Sequence, residues 1–102
     1  MYQLTFYVPE THLEKIKNAF FETGAGKIGN YDCCCWQTKG TGQFRPLENS
    51  TPFIGESGKI KTVSEYKVEM VCQNNLIKDI IKILKKHHPY EEPAYSVWKL
   101  EN

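Results

Sequence analysis

Period-two alternation opens the chain: Tyr2, Leu4, Phe6 and Val8 share one face, which predicts a strand over Tyr2–Val8. Pro9 suits a helix start, and Glu10 and Glu14 set acidic groups near the positive end of the helix dipole. Leu13, Ile16 and Phe20, with Ala19 beside them, form an apolar stripe at helical spacing. Gly24 to Gly26 supplies the stop, because glycine accepts the left-handed conformation at a helix C-terminus. Lys27 to Thr38 reads as extended again, with Ile28, Asp32, Cys34 and Trp36 on one face and Gly29, Tyr31, Cys33 and Cys35 on the other. Lys39 to Lys61 carries four glycines and two prolines, which predicts a long irregular connection interrupted by a short extended segment around Phe44. Glu65 to Gln73 alternates cleanly, Tyr66, Val68, Met70 and Cys72 inward, Lys67, Glu69 and Gln73 outward. Asn74 or Asn75 then caps a second helix through His87, whose face of Leu76, Ile77, Ile80, Ile81 and Leu84 is broad enough to cover a sheet. Pro89 ends it, and Ala94 to Leu100 forms the last strand.

Strand, helix, strand, strand, helix, strand is the order of the ferredoxin-like βαββαβ sandwich, an α+β fold with an antiparallel sheet and both helices on one face. No linker or low-complexity tract divides the 102 residues, so residues 1–102 are expected to form a single domain. The uncovered face of such a sheet should be polar. Instead Tyr7, Tyr31, Cys33, Cys35, Val71 and Trp98 are assigned to it or near it, and the clustering predicts burial by another copy of the chain.

Charge narrows the function. Thirteen basic and twelve acidic residues give a net charge of +1 and are well mixed, which argues against a nucleic-acid partner. The local excess of Lys82, Lys85 and Lys86 reads as the solvated face of a helix. No apolar run is long enough for a membrane span, and the N-terminus lacks the pattern of a signal peptide, so a cytoplasmic location is expected. Thiols stay reduced there, and the four cysteines need an account other than disulfides.

Cys33-Cys34-Cys35 lacks the turn spacing of a structural zinc site. Small buried side chains are the default account, with a soft-metal site through Cys33 and Cys35 as the alternative. The segment HPYEEPAY, residues 88–95, is the least generic stretch of the chain. A histidine in the last helical turn can cap free carbonyls. If His88 and Glu91 fold back on each other they offer a place for a divalent cation or a polar ligand. No phosphate-binding loop and no nucleophile with an evident base is present, so the enzyme case on intrinsic features is weak.

GAGKIGNYDCCCW (24–36), KGTGQFRPL (39–47), PFIGESGKI (52–60) and HPYEEPAY, in that order, resemble the domain inserted in the longer members of the YqfO-type, Nif-three-like family. The HPYE portion is also similar to the end of CutA proteins. The resemblance covers nearly the whole chain and implies a PII/CutA-like fold assembled as a trimer. It implies no hydrolase chemistry, because the dinuclear metal ligands of the longer proteins lie in the flanking halves. What it does imply is a cleft at a subunit edge, with candidate lining residues Gly40, Gly42, Phe44, Arg45, Pro46, Gly55, Gly58, His88, Tyr90, Glu91, Glu92 and Tyr95. Such a cleft could take a metabolite, a nucleotide or a metal. The expected function is a self-associating regulatory or ligand-binding module, with a metal-dependent hydrolase-like enzyme or a protein-interaction module as alternatives.

Overall fold

The computed structural model describes residues 1–101. Strand β1, Tyr2–Pro9, runs without a break into helix α1, Glu10–Glu22, because Pro9 keeps an extended backbone and serves as the N-cap. Strands β2, Trp36–Phe44, and β3, Lys61–Cys72, form a hairpin. One 3-10 turn, Asn74–Leu76, leads into helix α2, Ile77–His87, and strand β4, Tyr95–Lys99, ends the fold. The sheet is antiparallel with strand order β2-β3-β1-β4, the expected βαββαβ arrangement.

The core sits between the helices and one face of the sheet. Leu4, Phe6 and Val8 of β1 and Val68 of β3 are fully buried against Ile16 and Phe20 of α1 and Ile80 and Leu84 of α2. The Phe6 and Phe20 rings meet edge to face, 5.3 Å between centroids, a favoured aromatic geometry. Period two on the strands and period 3.6 on the helices thus name the same core.

The region between the first helix and the hairpin departs from the expectation. Lys27 to Cys35 is an irregular loop with one isolated bridge between Ile28 and Tyr31, and the second strand begins only at Trp36. Cys33 takes φ 55°, outside any strand, so the expected facing of Tyr31, Cys33 and Cys35 on the open sheet does not arise. Gly26 anchors this loop: its N–H donates to the Val71 carbonyl at 2.8 Å, and its own carbonyl accepts from Cys34 N–H at 2.8 Å.

Lys39 to Phe44 belongs to β2 and residues 61–64 to β3, which shortens the predicted irregular stretch to 45–60. Period two failed there because the tip of the hairpin extends past the helices and buries neither face. Beyond the Pro9–Glu65 pair, β3 has β2 as its sole neighbour, and the molecule measures 47 × 24 × 23 Å. Neither asparagine caps the second helix: the segment starts as a 3-10 turn with Gln73 at its N-cap and no side-chain capping bond.

Candidate functional site

The projecting hairpin and the 88–95 segment meet in a cleft of about 460 Å³. Phe44, Arg45 and Pro46 enter it from the end of β2, Pro52 and Phe53 from the connecting loop, and Tyr90, Glu91 and Glu92 from the segment before β4. Two hydrogen bonds fix this meeting. Thr51 N–H donates to Glu91 Oε1 at 2.9 Å, pinning the loop, and Gly58 N–H donates to the Pro46 carbonyl at 2.8 Å, closing the loop on itself.

His88 orients the segment from behind. Its backbone N–H bonds the Leu84 carbonyl at 2.9 Å and so caps α2. Its ring is buried and lies between two backbone groups, with Nε2 2.7 Å from the Tyr7 carbonyl and Nδ1 3.1 Å from Tyr90 N–H. Nδ1 must accept from Tyr90, so Nε2 carries the proton and donates to Tyr7: the geometry assigns a neutral ring in a single tautomer. Burial holds its pKa below the ordinary histidine value of 6.5 and His12 adds to the depression, while the bond to Tyr7 opposes it.

The Tyr90 ring packs on His88 at 4.8 Å and has Phe44 and Phe53 on its other sides at 6.1 and 6.3 Å. Its hydroxyl is buried with no hydrogen-bond partner among the described residues. The Glu65 carboxylate lies near enough to act on it. Burial pushes the phenol above its ordinary value, and Glu65 pushes it further, so Tyr90 stays a proton donor. Glu65 was not foreseen; in sequence it is one more outward residue of an alternating strand. The available signal was Gly40-x-Gly42, two glycines on the same face of β2. Glu65 lies over Gly42, where a Cβ would collide with Oε1 and stand 2.8 Å from Cδ.

The other candidates occupy other places. Gly40 lines an adjoining groove on the open sheet face with Thr38, Lys67 and Glu69. Gly55, at φ 100°, stands behind Phe44. Gly58 closes the loop, and Tyr95 packs on the core side of the sheet. For the metal candidates, both ring nitrogens of His88 face backbone partners, Cys33 is exposed and Cys35 packs partly against the core. Among the described residues no three His, Cys, Asp or Glu side chains stand where they could hold one ion.

No protein-family model matches the chain. Proteins described as GTP cyclohydrolase 1 type 2 homologs match it along its length: the one from Halalkalibacterium halodurans is 41% identical over 102 residues, and the one from Bacillus subtilis 39% over 99. The chain spans about a quarter of these relatives, 27% and 26% of their lengths. In structure it is similar to a Bacillus cereus protein related to NIF3, with TM-score 0.84 and 37% identity over 99% of this chain and 26% of that one. The CutA protein of Archaeoglobus fulgidus superposes with TM-score 0.72 at 16% identity, covering 100% of this chain and 86% of its own. The whole chain therefore corresponds to one segment of the larger NIF3-related proteins, and its fold is that of CutA and PII-like proteins.

Proposed function

We propose that this chain is a small, self-associating ligand-binding module of PII/CutA-like fold, acting by binding rather than by catalysis. The observation that carries this reading is the cleft between the hairpin and residues 88–95, where, among the described residues, a buried phenol hydroxyl has no hydrogen-bond partner and the half-buried Glu65 carboxylate beside it has no counter-ion. Buried polar groups are as a rule satisfied, and a partner supplied by a ligand satisfies these. The cleft's size and its largely apolar lining, with the rings of Tyr7, Phe44, Phe53 and Tyr90 among it, suit a small molecule. The cyclohydrolase wording attached to the relatives describes far longer proteins, and we assign no reaction to this chain from it.

Self-association is supported by the uncovered sheet face. The register sets Trp36, Tyr7 and Trp98 on that face, and the two tryptophans are 69% and 62% exposed. A trimer is the assembly that the resemblance to CutA and PII proteins implies. We place the protein in the cytoplasm, consistent with four free cysteines; among the described residues no helix is long and apolar enough to cross a membrane.

Two measurements test the proposal. Sedimentation velocity at micromolar concentration should show an oligomer; a monomer alone removes the assembly claim. Thermal unfolding against a panel of small cations, anions and neutral heterocycles should show a ligand that raises Tm in the wild type and fails to do so in Phe53→Ala. A flat panel in both proteins removes the ligand-binding claim.

A further inference from the structure

The cleft is electrostatically unbalanced. Three carboxylates, Glu65, Glu91 and Glu92, line it against one guanidinium, Arg45. Glu91 is occupied by Thr51 N–H at 2.9 Å. Glu65 is half-buried and takes part in no ion pair among the described residues. Its seat over the bare backbone of Gly42 exists only because that position has no side chain. A carboxylate withdrawn from water without a counter-ion is unfavourable, so the cleft is poised to receive positive charge.

The walls restrict which cation fits. The rings of Phe44 and Phe53 flank Tyr90 within 6.3 Å, and the Tyr90 hydroxyl is unpartnered beside Glu65. A guanidinium is planar, gives two parallel N–H bonds to a carboxylate, stacks on aromatic faces and sheds water more easily than an ammonium.

We propose that this cleft binds a small organic cation through a guanidinium group, with Glu65 as its paired carboxylate and Phe44, Phe53 and Tyr90 as its walls. The inference rests on the reading of the cleft as a ligand site and names the ligand's class. Glu91 and Glu92 favour a second positive charge and disfavour a carboxylate or phosphate. Agmatine, with two positive charges, therefore binds more tightly than arginine.

Isothermal calorimetry on the full chain tests this with agmatine, arginine, butylamine and a nucleoside triphosphate as probes. Agmatine should saturate one site per chain, with butylamine at least roughly tenfold weaker because it lacks both the planar fork and the second positive charge. Glu65→Gln should weaken agmatine binding by roughly ten- to a hundredfold, the loss expected of a charge-assisted hydrogen-bonded pair. Since Glu65 takes part in no ion pair among the described residues and a glutamine keeps an acceptor oxygen beside Tyr90, this variant should stay close to the wild-type unfolding midpoint, which separates lost binding from lost folding. Arg45→Gln should tighten agmatine binding by removing a like charge. Equal agmatine binding in wild type and Glu65→Gln, weaker binding in Arg45→Gln, or no saturation by agmatine each overturns the inference. A triphosphate that binds, is lost in Arg45→Gln and is untouched by Glu65→Gln overturns the cation class yet leaves the cleft a ligand site. The loss of that broader reading requires the flat thermal panel described above.

Discussion

Protonating His88 should destabilise this protein, and the sign follows from its contacts. The ring is 6% exposed, and Nδ1 accepts the Tyr90 N–H while Nε2 donates to Tyr7. A second proton has to enter on Nδ1, turning an acceptor into a donor aimed at another donor, and charges a ring withdrawn from water. The folded-state pKa therefore lies below the unfolded value of 6.5. Below that value the unfolded chain binds more protons than the folded one, so stability falls as the pH falls. The loss begins near 6.5 and grows by at most about 1.4 kcal/mol per pH unit until the folded ring itself titrates. His88→Gln removes the titration and also the two ring bonds, and it leaves the Tyr7 carbonyl and Tyr90 N–H poorly matched. At neutral pH that should cost about 2–4 kcal/mol, from two hydrogen bonds at about 1 kcal/mol each plus partly unpaired backbone groups. Urea unfolding of both proteins from neutrality to about pH 5 is the assay, a range chosen to stay above most carboxylate titrations. The wild-type free energy should fall toward that of the variant as acid is added. Parallel curves over the whole range would refute the neutral buried ring.

Other parts of the fold give independent expectations. Gly26→Ala should destabilise by about 2–4 kcal/mol in the same assay, since φ is 78° and a Cβ would stand 2.9 Å from both the Cys34 carbonyl oxygen and Phe21 Cε1. Phe20→Ala, removing a fully buried ring that meets Phe6, should cost about 3–5 kcal/mol; a loss under about 1 kcal/mol would contradict the assigned core. Exposed Cys33 should react with a thiol reagent in the native protein well before Cys72, which is buried and whose thiol pKa burial raises. Trp36→Ser with Trp98→Ser should shift the sedimentation coefficient toward monomer while leaving the far-UV circular dichroism of the folded chain unchanged, because both side chains are exposed on the open face of each chain.

The elements that pack against one another were legible in the sequence. Leu4, Phe6 and Val8, Leu13, Ile16 and Phe20, and Ile80 and Leu84 alternate with the period of the element they occupy, since one side of each faces the core. Strand β2 was illegible for the opposite reason. Its residues Trp36–Phe44 are almost all exposed, so WQTKGTGQF carries no burial pattern, and its glycines read as loop. The cysteine run misled in the other direction: its neighbours alternate by chance, while Cys33 turns into the left-handed region. At the cleft, the 88–95 segment and the Phe44–Pro46 stretch were recognisable from their motifs. Glu65 and Tyr7 were not, because a side chain that comes into place through folding across a hairpin leaves no local mark.

The central claim is that the cleft between the hairpin and residues 88–95 binds a small organic cation. The most direct test is a backbone-amide NMR titration of the full chain with agmatine. Shift changes should cluster at Gly42 to Leu47, at Thr51 to Ile54 and at Tyr90 to Glu92, and in Glu65→Gln they should need roughly ten- to a hundredfold more agmatine. Changes scattered over the surface, or gathered around Trp36 and Trp98 with the cleft unmoved, would contradict it.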